Sequence, residues 1–154
     1  MREIDRLLNR YSESHTNRTN ILIHAIAVPS IFFVTIGLIW SIPVPAFIAQ
    51  YNINWAHIFA VPTLYYYFKL SGPIGAAMTL LMIATFYGIK FLEAANINVL
   101  HFSLALFVIM WILQFVGHKI EGKKPSFFKD VQFLLIGPAW LMGFIYRKFG
   151  IHYD

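Results

Sequence analysis

No cysteine occurs among the 154 residues, which removes disulfides, zinc–thiolate sites and iron–sulfur clusters from consideration. Any metal must be held by His, Asp or Glu, Asn or Gln, backbone oxygen or water. Charge is scarce too. Only 12% of residues are charged while 58% are hydrophobic, against about 25% and roughly 45–50% in ordinary globular chains. So few charges cannot cover a water-facing surface, and the chain reads as an integral, multi-pass membrane protein. No repeat, low-complexity segment or second domain stands out, so residues 1–154 read as a single membrane-embedded domain. The first apolar run is too long, and lacks the small-residue cleavage site, for a removed signal peptide.

The charge that is present is basic, with a formal net of +5. The basic residues lie between apolar segments, so they read as topology signals and contacts to membrane lipids. They do not form a nucleic-acid footprint. A membrane helix needs about 20 mostly apolar residues. Four stretches qualify, near Asn20 to Trp40, Ile53 to Phe68, Pro73 to Leu92, and Val99 to Gly117. A fifth, Val131 to Tyr146, is short and interrupted by Gly137-Pro138, which suits a re-entrant or interfacial segment. The first twelve residues place Ile4, Leu7, Leu8 and Tyr11 at helical spacing among charges, as in a short amphipathic helix on the membrane surface. The expected fold is therefore all-α: four transmembrane helices, the C-terminal re-entrant or interfacial segment, and the N-terminal amphipathic helix.

With four spans and a cytoplasmic N-terminus, Arg2, Arg6, Arg10, Arg18, Lys69, Lys119, Lys123, Lys124 and Lys129 share one side, and Lys90 falls outside it. If the fifth segment dips in and returns, Arg147 and Lys148 join the cytoplasmic set.

The six histidines sort by side. His15, His24 and His118 belong to the cytoplasmic ends of the first and fourth spans, so they can converge without a chain crossing the bilayer. His57 and His101 belong to the opposite face, where they can bond each other or water, and His152 lies in a solvated tail. On an unbroken helix the step from His15 to His24 turns about 900°, which sets the two rings on opposite faces. A shared site requires a bend, and "TNRTN" supplies turn and helix-start residues, with Asn20 a plausible N-cap. An imidazole inside a span, as at His24, calls for a partner. On the fourth span Gln114, His118 and Glu121 share a face if the helix extends that far. Three imidazoles, with or without a carboxylate, suit Fe(II), Zn(II) or Mn(II). Asn20 and Gln114 could orient the rings.

These residues resemble a known pattern. "HTNRTNILIHAIAVP", followed much later by "WILQFVGHKIEGKKP", is similar to the small membrane family named for the fungal 2-hydroxy fatty acid dioxygenase of the endoplasmic reticulum. The family pattern is Tyr-His, Asn-Pro-x-Asn, a histidine four residues on, then Gln-Phe-x-Gly-His with an acidic residue, basic residues and Pro behind it. His15, Asn17, Asn20, His24, Gln114, Phe115, Gly117, His118, Glu121 and Pro125 occupy those places, and the likeness extends over nearly the whole chain. Ser14 stands where Tyr is usual, Arg18 stands where Pro is usual, and the stretch from His118 to Pro125 is one residue shorter than in the fungal form.

The resemblance implies an Fe(II)-dependent enzyme that uses O2 to shorten 2-hydroxy fatty acids by one carbon, releasing CO2. It implies metal ligation by His15, His24 and His118, with Glu121, Asn20 and Gln114 in the catalytic surroundings. Lys123 and Lys124 are candidates to attract the anionic headgroup. The short form is more similar to bacterial members, which implies a bacterial inner membrane rather than endoplasmic reticulum, with the N-terminus and metal site cytoplasmic. Other readings stay open on the residues alone. A di-iron hydroxylase would need about eight clustered histidines by family analogy, more than the chain has. A lipid-binding or small-solute transport protein with a histidine polar site, or a structural zinc protein, remains compatible.

Overall fold

The computed structural model describes residues 2–128 and 131–153, so Lys129 lies outside the described residues. Those residues form seven α-helices and one 3-10 turn, with no strand among them. The helices are α1 (Glu3–Ser12), α2 (Arg18–Trp40), α3 (Ala46–Ala49), α4 (Trp55–Leu70), α5 (Gly72–Ala94), α6 (Val99–Glu121) and α7 (Phe133–Lys148), with the 3-10 turn at Ser126–Phe128.

Three helices, α2, α5 and α6, are long and apolar enough to cross a membrane, fewer than the four expected. The second expected span is α4, whose 16 residues rise only about 24 Å against a hydrocarbon thickness of about 30 Å. Its start is fixed by polar chemistry. Asn54 Oδ1 accepts from the backbone N–H of Ala56 and His57, while the Asn54 N–H donates to His57 Nδ1 at 3.2 Å. That capping box begins the helix at Trp55 and so denies it the extra turns a full crossing needs.

The core is built on two antiparallel pairs, α2 with α6 and α4 with α5. The α2/α6 crossing is close at both ends because a side chain is missing at each. A Cβ at Gly37 would collide with Ser103 Oγ, and one at Gly117 would collide with Asn20 Oδ1. Small residues at a helix crossing let backbones approach, which substitutes for the hydrophobic driving force that lipid does not provide.

The helical reading of the first twelve residues agrees with α1, but its apolar face meets protein and not the membrane surface. Ile4, Leu7, Leu8 and Tyr11 are all buried, packed on α7. Burial of an apolar side chain of this kind contributes about 1.5–3 kcal/mol. The C-terminal segment also differs from expectation. Gly137-Pro138 does not interrupt it, and α7 runs unbroken through Pro138, packed against α1, α2 and α5.

Candidate metal centre

Between α1 and α2 the chain turns, and His15 sits in the turn, its N–H bonded to the Ser12 carbonyl. The N-cap of α2 is Asn17, whose Oδ1 accepts from Thr19 and Asn20. Asn20, expected as the cap, lies inside the helix, because a cap side chain reaches two or three residues forward and Asn17 already satisfies those donors. His24 follows Asn20 by one turn. His118 comes from α6, near its end.

The three rings meet edge to face. Their centroids are 4.4 Å apart for His15 and His24, 5.0 Å for His15 and His118, and 4.7 Å for His24 and His118, with interplanar angles of 75–81°. All three residues are buried, and one nitrogen from each ring lies within 4.8 Å of the others.

Hydrogen bonding says which nitrogens are available. His15 Nδ1 lies 2.7 Å from the Tyr11 carbonyl and His24 Nδ1 lies 3.0 Å from the Asn20 carbonyl. A carbonyl only accepts, so each Nδ1 carries the proton and each Nε2 keeps a lone pair. His15 Nε2, His24 Nε2 and His118 Nδ1 are buried with no hydrogen-bond partner. Leaving a buried polar atom unsatisfied costs about 1–3 kcal/mol, and this fold does so at all three rings. The unprotonated nitrogens of His15 and His24, converging with the unpartnered Nδ1 of His118, fit a divalent metal ion, and the backbone carbonyls that set the first two tautomers are the partners metal-bound histidines usually have. Burial, with His24 and His118 alongside, pushes the His15 imidazole down to about 3. The ring is therefore neutral at pH 7, as a ligand must be.

Glu121 is outside this group of three. Its carboxylate accepts from the Thr16 N–H at 3.0 Å, the Thr16 hydroxyl, the Asn17 N–H at 2.8 Å and Asn20 Nδ2 at 3.0 Å. It thereby ties the end of α6 to the loop that carries His15. Asn20 is fully buried and spans the same junction, since its Nδ2 also donates to the Ser14 carbonyl at 3.1 Å. Gly122 then ends α6 in the left-handed region at φ 74°, with its N–H and that of Lys123 both returning to the His118 carbonyl. This Schellman-type turn sends the chain back across the rings.

Beyond the histidines opens a cavity of about 520 Å³. His15, His118 and Gln114 stand at one end, and its walls are otherwise mostly apolar side chains from α2, α4, α6, the 3-10 turn and α7. Its size is in the usual range for small-molecule sites. Lys123 and Lys124 do not line it. With Arg10, Glu13, Ser14, Ser126 and Phe133 they border a separate recess of about 480 Å³, which abuts the cavity through Ser126 and Phe133. Lys123 Nζ donates there to the Glu13 carbonyl.

Three residues near the rings were not singled out from the sequence for the site. Tyr11 stacks on His15 at 4.1 Å and 9°, Trp140 lies 5.4 Å from the same ring and donates to Ser12 Oγ, and Ser126 bonds Ser14. The four-residue step from Tyr11 to His15 was a usable signal, since it sets the two on one helical face. For Trp140 and Ser126 there was none. Of the remaining histidines, His57 packs between Trp40 and Phe86 and bonds Asn54 rather than His101, while His101 and His152 are exposed.

A family model described as 2-hydroxy-palmitic acid dioxygenase Mpo1-like matches residues 1–149. The 2-hydroxy-palmitic acid dioxygenase MPO1 of Saccharomyces cerevisiae is 28% identical over 137 residues, which cover 88% of this chain and 75% of the yeast protein. No solved structure matches.

Proposed function

Because the chain belongs to the Mpo1-like family, we propose that it is an Fe(II)-dependent dioxygenase that shortens 2-hydroxy fatty acids by one carbon. The 2-hydroxy acid and O2 become the acid one carbon shorter, CO2 and water. Four electrons reduce O2, three drawn from the carbinol carbon as it becomes a carboxyl carbon and one from the departing carboxyl carbon.

The observation that carries this reading is the trio of buried, unpartnered nitrogens on His15, His24 and His118 at the head of an apolar cavity. When bound, Fe(II) supplies O2 chemistry and an anchor for a hydroxy-carboxylate, using positions the three imidazoles leave open. The chain's own residues do the rest. The carbonyls of Tyr11 and Asn20 hold His15 and His24 in the ligating tautomer. Glu121 and Asn20 hold the His15 loop against α6. Gln114, buried one turn before His118 and at the cavity wall, is placed to hold the substrate's polar end. Lys123 and Lys124, on the neighbouring recess, draw an anionic headgroup toward the site. The basic residues that flank this end favour its placement at the cytoplasmic face.

The test is purification without oxygen, loading with Fe(II), and measurement of O2 uptake with 2-hydroxypalmitate beside palmitate. Uptake with the hydroxy acid alone, yielding the acid one carbon shorter and absent in His24→Ala, is the expected result. Full iron occupancy with no uptake would replace this reading with that of a lipid-binding protein holding a structural metal.

A further inference from the structure

The cavity has a measurable depth, because three of its walls are helices of known rise. On α2 its lining extends from Val28 to Ile36, and from the level of His24 to that of Ile36 the helix climbs about 18 Å. On α6 the lining runs from His118 back to Phe107, about 16 Å of rise. α4 runs back toward the histidine end and contributes Phe59 and Thr63. Phe59 lies one turn inside the start of that helix, as Ile36 lies one turn inside the end of α2. Two independent helix walls therefore put the floor at a similar depth, and Thr35, Ile36 and Phe59 gather at it.

We infer that this cavity is an acyl ruler: Phe59 and Ile36 close its far end and set the length of hydrocarbon chain the protein prefers. The inference rests on the proposed dioxygenase reading only for the identity of the headgroup. An extended chain advances about 1.2 Å per single bond, as a three-bond peptide residue does in spanning about 3.6 Å. A depth of about 16–18 Å then accommodates about 14 bonds, so acids of about 14 to 16 carbons fill the cavity while their carboxylates reach the histidines. A shorter chain leaves apolar wall unfilled. A longer one must fold or displace Phe59. Because the walls are apolar, each added methylene that finds wall to cover tightens binding about fourfold, and one that finds the floor adds nothing.

Phe59 is exposed at 38% and Thr35 half-buried, and neither side chain hydrogen-bonds among the described residues, so both suit substitution. The experiment is displacement of a fluorescent fatty acid by saturated, unhydroxylated acids of 8 to 22 carbons, with the full chain in phosphatidylcholine nanodiscs. These probes lack the 2-hydroxyl and do not turn over, so the readout is independent of catalysis. Expressed against the free aqueous concentration of each acid, the wild type should gain about fourfold in affinity per carbon up to about 14 to 16 carbons and then level off. Phe59→Ala should move that break about three carbons longer, and Thr35→Phe about three carbons shorter. A break at the same length in all three proteins, or no break at all, would overturn the ruler. Failure of the dioxygenase reading looks different: the break moves with the variants while 2-hydroxypalmitate gives no O2 uptake.

Discussion

The two ends of the helix bundle use similar residues to opposite effect. At the far end His57 shares a capping box with Asn54 and rests against Trp40 and Phe86. Beside it, Trp40 Nε1 donates to Glu93 at 2.8 Å, and Lys90 pairs with Glu93 at 3.0 Å. At the near end Glu121 is also saturated with donors, yet three imidazoles keep a buried nitrogen unpaired. At the far end His57, Asn54, Trp40, Lys90 and Glu93 all serve helix termini. At the near end the polar network holds the loop and backbone in place and leaves the ring nitrogens waiting. A histidine in a membrane protein is thus informative by what its second nitrogen lacks, and less by its burial.

That contrast can be broken in several ways. The largest effect is expected from His24→Ala, which should weaken Fe(II) binding by more than about 100-fold, whereas His57→Ala should leave it within about threefold. Metal content after dialysis against a weak chelator checks both. Glu121→Gln removes the charge from an acceptor of four hydrogen bonds and should cost about 1–3 kcal/mol of stability and lower metal affinity about tenfold. Glu93→Gln, at a half-exposed surface pair, should cost no more than about 0.5 kcal/mol. Thermal melting with and without metal separates the two.

Acidification sharpens the same comparison. In the metal-free protein His15 titrates near 3, below the value of about 6.5 for an unfolded chain. Between those values the unfolded state binds more protons, so His15 destabilises the fold as pH falls through this window and has no such effect above it. Melting temperatures from pH 7 to 4 should fall at least as steeply with metal bound as without it, because bound metal keeps the rings unprotonated while the unfolded chain still takes up protons. The smallest difference lies between the two crossing glycines. Gly117→Ala and Gly37→Ala should each cost about 1–3 kcal/mol by overpacking. Only the first, which pushes on Asn20, should also reduce metal retention.

Much of the site was legible because its residues are polar in apolar surroundings. His24 inside a span, and Gln114 and His118 on one helical face, stand out against their neighbours. What was not legible depends on which apolar surface meets which. The α1 stripe of Ile4, Leu7, Leu8 and Tyr11 reads the same whether it faces lipid or protein, and only the folded chain shows that α7 covers it. Gly137-Pro138 reads as a break. In the structure Gly137 instead lies where the Tyr11 hydroxyl approaches, and a Cβ there would sit 3.1 Å from it. The expected second span, Ile53 to Phe68, already had the 16 residues that α4 has two positions later; the misreading was to count as a crossing a run that rises only about 24 Å.

The latch formed by Glu121 has a consequence for how such a site comes into being. Glu121 and His118 both belong to α6, and they reach the His15 loop across more than 100 residues of chain. A ribosome releases His15 and His24 long before it makes either of them. The growing chain therefore offers only a pair of imidazoles, without the loop clasp, until its last long apolar helix has been synthesised. On the proposed reading, metal capture is thereby deferred until α6 has been made, and a product truncated before that helix carries no complete site.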